Sequence, residues 1–531
     1  PAWWSRGAGT RVERSYDSSG RLAGLAHERG RGVDVVWDGA GSRIVALVAR
    51  DGRRADFSYD SSGRLVGVTR SGGGARRYEW GEESGRIERV VDADGVVEAD
   101  NAYDEAGRVV RQRSAFGRVS HYSYLPGGVT QVADADGSRA NVWVHDARGR
   151  LTGMIDAAGN RQSIGWDRWG NRVMVTGRDG GRTINQYDGR GRLSVRVEET
   201  GARLSYDYDD ADRVVRVRAD DGSGAAAVTA YEYAGADRNP RMITDPEGGV
   251  TRLDWQDGLL VGAVDPVGVR VRLGYDEHGE LTSVTNAVGD TARLERDGAG
   301  RITASITPSG RRTQYRYDAA GNLVSRRDPD GATWRWEHTP GGRPCAMIDP
   351  TGARTAIDYG EHGAEQTTTD PMGRSITMGY DDVGNTASAV LPDGSTWDFA
   401  HDALSRLRSV TDPTGARAVL EYTSTGDVAH SVDPTGVEQE FEHGPVGLPT
   451  AARDEESAIG ARWDRLGRLV ERIDADGSRR VLAYDRCGRL IESVDEMGGV
   501  TRIERDAAGR AVTILGITFK PDSDDLRDSP V

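Results

Sequence analysis

The stretch Tyr16-Asp17-Ser18-Ser19-Gly20-Arg21-Leu22 returns almost letter for letter as Tyr59-Asp60-Ser61-Ser62-Gly63-Arg64-Leu65. The same aromatic-Asp-x-x-Gly-Arg-Leu text comes back around Tyr103, Asp104 and Gly107, at Tyr187 and Asp188, around Tyr275, Asp276 and Gly279, around Tyr317, Asp318 and Gly321, at Trp463, and around Tyr484, Asp485 and Gly488. The aromatic slot falls at 145, 166, 187 and 208, then at 275, 296 and 317, then at 359, 380, 401, 422 and 443, in multiples of 21. Counting degenerate copies gives about 24 units over residues 16–510. In some slots the ring has lapsed, as at Arg296, His401 and Arg505, while the rest of the motif stays.

A second turn lies between successive motifs. It reads Asp-Pro-x-Gly at Asp265-Pro266-Val267-Gly268, Asp349-Pro350-Thr351-Gly352, Asp412-Pro413-Thr414-Gly415 and Asp433-Pro434-Thr435-Gly436, and Asp-Ala-x-Gly at Asp92–Gly95 and Asp156–Gly159. Both turns rest on the same chemistry. The Asp carboxylate accepts backbone N–H groups just ahead of it, Pro presets φ at the second position, and Gly takes a positive φ without steric cost. Between turns the text alternates with period two. Val269, Val271 and Leu273 share one face and Arg270 and Arg272 the other; Leu193, Val195 and Val197 alternate with Ser194, Arg196 and Glu198. That is the signature of half-buried antiparallel strand, and no stretch holds a helical period for three turns. The expected fold class is all-β, an antiparallel array of β-hairpins.

Size decides what such an array can build. The 531 residues would suggest three or four ordinary domains, yet a 21-residue repeat makes one array. Two strands per unit give roughly 48 strands, a ribbon about 230 Å wide at ~4.8 Å per strand. Open sheets rarely exceed about ten strands without curling. Wound once, the ribbon encloses a tube about 70 Å across; wound more often, it makes a narrower, taller spiral. A spiralling hollow shell or barrel is expected, with successive aromatic rings stacked in a row across neighbouring hairpins.

Composition agrees with a wall. Gly is 71 residues and the hydrophobic share 37%, against ~45–50% in ordinary globular chains. No run of 18 apolar residues exists, so no membrane span is expected. The net charge of −15 is interspersed along the chain, which argues against a nucleic-acid face. Cys345 and Cys487 make no disulfide framework. Pro1–Arg6 lacks an apolar signal core, and the chain reads as a piece of something longer.

Each candidate site residue has a structural role to set beside a functional one. The nine histidines (27, 121, 145, 278, 338, 362, 401, 430 and 443) show no metal-ligand spacing; His145 and His401 fill aromatic slots, and His278 and His362 fall in turns. Asp92–Gly95, Asp134–Gly137 and Asp474–Gly477 carry Asp-x-Asp-Gly, but no closing Glu follows, which favours turn capping over Ca²⁺. Trp334, Trp336 and Trp397 offer rings for a sugar or for the wall itself. The expectation is no catalytic residue, no metal and no cofactor: the chain is read as a non-enzyme.

These residues resemble the YD repeats of the Rhs family, shared with wall-associated bacterial proteins, insecticidal toxin-complex shell proteins and teneurins. The resemblance covers residues 10–512 and implies a β-shell that spirals round a hollow interior. In toxin-bearing members such a shell holds a variable C-terminal toxin; in teneurins it serves adhesion. Those toxins carry a Pro-Asp-Pro-x-Gly-Leu-like self-cleavage element at the end of the repeats, which this sequence lacks, so no protease residue is transferred.

Residues 1–511 are therefore read as the shell and 512–531 as a tail. The tail contains Gly516-Ile517-Thr518-Phe519-Lys520-Pro521 and the chain's one lysine. It resembles the motif opening the C-terminal domain of UDP-glucose/GDP-mannose dehydrogenases, which implies sugar-nucleotide contacts for Phe519 and Lys520. No dinucleotide-binding domain precedes it. Three functions remain open: a secreted shell whose partner is an enclosed toxin domain; a cell-surface adhesin binding carbohydrate or protein; and a remnant of an NAD-dependent sugar-nucleotide dehydrogenase fusion.

Overall fold

A computed structural model describes residues 3–5 and 11–517. Among them the backbone forms 49 strands in one sheet, with one short 3-10 turn at Pro445–Gly447 and no α-helix among the described residues. The all-β expectation holds. Strands consecutive in sequence pair antiparallel throughout, so the sheet is one long meander.

The strands Arg54–Tyr59 and Leu65–Arg70 show why the sequence pairs this way. Ala55, Phe57 and Tyr59 are half-buried on one face, while Arg54, Asp56 and Ser58 are exposed on the other. Phe57 faces Val68, Ser58 faces Gly67, and then the register slips so that Tyr59 faces Leu65. The same slip sits before the aromatic slot at Ser15/Tyr16, Gly274/Tyr275, Arg316/Tyr317 and Ala483/Tyr484. A bulge adds twist and bends its strand. Repeated once per unit, it curls a sheet that would otherwise lie open.

The curl closes into a spiral of two coils. The turn Asp92–Val96 follows the strand Ile87–Val91 and rests on Thr339–Arg343, which follows Thr333–His338, 23 strands further on. Asp245–Gly249 rests in the same way on Asp485–Arg489. At ~4.8 Å per strand, one coil of about 24 strands measures about 115 Å round and about 37 Å across. Among the described residues no strand ladder joins the coils, and Trp3–Ser5 and Ala511–Ile517 are the first and last described strands of the sheet. The latter pairs with Val500–Arg505, so the sheet continues into the first residues of the expected tail.

A wall one sheet thick has little interior. The most buried side chains are small, with Ala46, Ala304 and Ala346 fully covered, and among the described residues no large side chain is fully buried. This accounts for the low hydrophobic share of the chain.

Candidate functional site

Each motif turn is a hydrogen-bonded clasp. At Asp60–Arg64 the Asp60 N–H donates to the Arg64 carbonyl at 3.0 Å and the Gly63 N–H to the Asp60 carbonyl at 3.0 Å. Gly63 holds φ +81°, which only glycine adopts freely. One carboxylate oxygen of Asp60 accepts the Arg64 N–H at 2.8 Å and the other accepts Arg64 Nε at 2.7 Å. The Arg64 backbone N–H, and then its guanidinium, hold the Asp60 carboxyl below its ordinary range. Asp17, Asp104 and Asp188 are lowered in the same way by the N–H of Arg21, Arg108 and Arg192.

The clasp passes its arginine on to the next unit. The Arg64 guanidinium lies 5.6 Å from the ring of Trp80, and Trp80 Nε1 donates to the Leu65 carbonyl at 2.7 Å. The pattern recurs along the wall. Arg43 covers Tyr59, Arg86 covers Tyr103, Arg301 covers Tyr317 and Arg468 covers Tyr484. The hydroxyls of Tyr59, Tyr103, Tyr187, Tyr275, Tyr317 and Tyr484 donate to the carbonyls of Ile44, Ile87, Arg172, Leu260, Ile302 and Leu469. Tyr16, first in the row, is half exposed. The expected row of stacked rings is therefore corrected to a ladder of alternating rings and guanidiniums. Slots two strands apart stand about 9.6 Å from one another, beyond the ~7 Å reach of ring contact, and the arginine fills the gap.

The lapsed slots divide into two kinds that the sequence did not distinguish. Arg296 Nε donates to the Leu281 carbonyl at 3.3 Å and its Nη1 to Gly300 at 2.8 Å. Arg505 repeats both bonds on Leu490 and Gly509. Arginine thus keeps the link by supplying the missing donor. His338 and His443 do not: their Nδ1 atoms are buried without a partner among the described residues.

The two coils meet turn to turn. Ion pairs cross the seam in both senses: Asp92, Asp94, Asp221 and Glu247 of the first coil meet arginines of the second, and Arg31 and Arg139 of the first meet Glu280 and Asp382. Arg343 Nη2 binds Asp92 at 2.5 Å, and its Nη1 pairs with Asp94. Arg139 clamps Asp382 at 2.7 and 2.6 Å, Arg468 binds Asp221 at 2.9 Å, and Arg486 binds Glu247 through its backbone N–H at 2.9 Å and its Nε at 3.0 Å. His278 Nδ1 donates to the Arg29 carbonyl at 2.6 Å. Phe116 inserts as an apolar knob, stacked on His362 at 4.6 Å and tilted against Tyr380 at 5.8 Å. The Arg139 guanidinium lowers Asp382, and Arg486 lowers Glu247. Burial alone would raise Asp92; the Val96 N–H and Arg343 outweigh it. Clefts of about 580 and 790 Å³ open along this seam, lined by Leu25, Arg31 and His278 and by Arg29, Asp257 and Tyr275.

The remaining candidates fall into structural positions. The Asp-x-Asp-Gly carboxylates are occupied by turn N–H groups and arginines, as with Asp92 and with Asp474, which binds Arg472. Trp334, Trp336 and Trp397 are half-buried in strands, and Arg326 covers Trp334. Trp169, by contrast, is 71% accessible at the tip of a motif turn. Its place before the turn glycine in Asp167-Arg168-Trp169-Gly170 was the available signal. Cys345 and Cys487 are free, and burial raises the Cys487 thiol. Phe519 and Lys520 lie outside the described residues. Among the described residues no helix is long and apolar enough to cross a membrane.

Two solved structures share the fold. The crystal structure of TcdB2-TccC3-TEV matches at 15% identity with a TM-score of 0.51, over 97% of this chain and 33% of that one. TcdB2-TccC3 without its hypervariable C-terminal region matches at 16% identity and 0.51, over 97% and 32%. The chain thus spans about a third of the length of these structures. No curated protein sequence matches it. The dehydrogenase resemblance of the tail gains no support from these matches. The RHS Repeat family model matches at residues 37–75, 59–97, 145–182, 255–291, 296–333, 317–354, 380–417 and 463–496, about half of the chain. With the repeat, the clasp and the spiral wall in agreement with it, the chain belongs to the RHS-repeat family.

Proposed function

We propose that this chain is the non-catalytic wall of a secreted shell that encloses a polypeptide cargo, a toxin segment in the whole protein. The observation that supports this most directly is the two-coil spiral closed by its own seam, in which the polar and ionic groups of the turns are spent on holding the wall. One of the matched structures, TcdB2-TccC3 without its hypervariable C-terminal region, supports the same reading.

The dimensions restrict the cargo. Half a sheet thickness of ~5 Å taken from each side of a tube about 37 Å wide leaves about 27 Å clear. A compact 100-residue domain has a radius of gyration of ~13 Å, hence a diameter of about 33 Å. Cargo in this stretch of the shell is therefore an extended or partly folded chain. Small-angle scattering of the purified protein tests the reading: a hollow profile with a central deficit about 25–30 Å wide is expected, and a filled interior overturns it.

A further inference from the structure

We propose that a groove across the strands Arg312–Tyr317, Leu323–Arg327 and Thr333–His338 binds a phosphate group through Arg316, Arg327 and Arg335. The groove has a volume of about 320 Å³. Gln314, Ser325, Gly331 and Thr333 complete its lining, which contains no carboxylate.

Strand register brings the arginines together. Arg316 and Arg335 stand on either side of Ser325, each about 5 Å from it between Cβ atoms. Arg327 lies two residues along the strand from Ser325, on the same face, between Gln314 and Thr333. The three arginines are exposed, while Ser325 and Thr333 are half-buried and form the floor. Like charges directly opposite one another destabilise a sheet. Here uncharged residues separate the arginines and leave room between the guanidiniums.

The repeat shows which group is missing. One unit back, Arg312 holds Glu295 at 2.6 and 2.5 Å. One unit on, Arg354 holds Glu337 at 2.8 Å. In the unit between them the same two positions are Thr333 and Arg316. Arg316 thus stands where both neighbouring units place a carboxylate, and the residue that would pair with it carries no charge. Arg327 departs as well, since Ile306 and Ile348 occupy its position 21 residues to either side. With Arg335, these departures gather three positive charges in a chain of net charge −15. None of the three is paired with a carboxylate among the described residues. Glu337, two residues from Arg335, is taken by Arg354, and Asp330 caps the Ala332 N–H at 3.0 Å.

An anion that takes the place of the lost carboxylate fits this chemistry, because guanidiniums bind carboxylates and phosphates in a bidentate fork. A carboxylate has two oxygens, enough for one fork. A phosphate monoester presents three acceptor oxygens and a charge near −2 at pH 7, which suits three guanidiniums. The Ser325 hydroxyl and the Gln314 amide add neutral donors on the same face.

Phosphorus NMR titration of the purified chain tests this with inorganic phosphate and phenyl phosphate, whose relative affinities separate the free ion from a phosphorylated molecule. Wild type is expected to bind one or both saturably, with a Kd of about 1 mM or below. Arg316→Glu and Arg327→Ile restore the residues of the neighbouring units, so both keep the fold, checked by β-sheet dichroism. Each is expected to bind at least about tenfold more weakly. Arg354→Gln removes a charge from the same face outside the groove and should change binding less than about twofold, since solvent and salt screen it. Wild type without saturable binding overturns the proposal. So do groove variants that bind like wild type, an equal loss in Arg354→Gln, or benzoate that competes as tightly as phenyl phosphate.

Discussion

At the scale of single residues, the glycine of each clasp is the position most constrained by the backbone. In two clasps a side-chain-bearing residue takes its place: Asp212 and Ser405 hold φ of 61° and 62° there. The left-handed conformation costs a side-chain-bearing residue about 1–2 kcal/mol. Ser405→Gly and Asp212→Gly are therefore expected to stabilise their hairpins by about 1 kcal/mol, seen as slower hydrogen exchange in the flanking strands; unchanged or faster exchange counts against the strain. The histidine slots make a second case. Tyrosine at 338 can carry its hydroxyl to the carbonyl 15 residues upstream, as Tyr317 does to Ile302 at 2.9 Å. His338→Tyr should gain about 1 kcal/mol, measured by denaturation, and a loss of stability would show that the slot is shaped for imidazole.

The hairpin unit is joined to the next by two bonds of different kinds, the arginine over the ring and the ring's own donor. Tyr317→Phe keeps the ring under Arg301, 4.8 Å away, and removes only the hydroxyl. The Ile302 carbonyl then loses a partner, a change of about 1 kcal/mol, so exchange should quicken in Ile302–Ile306 and Arg312–Tyr317 and stay unchanged two units away. A response spread over the whole array would mean that units are not locally coupled, contrary to the nearest-neighbour behaviour of repeat proteins.

At the scale of the whole molecule, the seam makes the spiral sensitive to acid. Asp92, Asp382 and Glu247 are held below their ordinary values of 3.8 and 4.5. A lowered carboxyl stabilises the fold above its unfolded pKa, and this contribution fades as pH falls through the lowered folded value. Glu199, also at the seam, runs the other way: burial, and then Asp179, raise it, so its contribution is present at low pH and lost as pH rises through the raised value. The lowered groups outnumber the raised one, which predicts that the coils loosen below about pH 4 while the strands stay paired. Scattering should show an expanded particle at pH 3 with unchanged β-sheet dichroism. Phe116→Ala removes the knob on His362 and Tyr380 and should shift that loosening to higher pH; a pH profile identical to wild type would assign the knob no part in closure.

Strand type, the meander and the place of the repeating turns were legible in the sequence, because a 21-residue period with two glycine turns leaves an antiparallel meander as the one arrangement that buries the apolar face. The motif residues Tyr59, Asp60 and Gly63 could be named without coordinates, since the clasp that joins them spans five residues. The arginine between rings was less visible: Arg64 and Trp80 are 16 residues apart and meet only once the bulge has set the twist. The number of coils, and with it the width of the lumen, depended on contacts such as Arg343 with Asp92, separated by 251 residues. A local repeat fixes how each hairpin sits on the next. How far the accumulated twist carries the chain before one rim meets the other is a sum over some two dozen bulges, and only the tertiary structure adds it up.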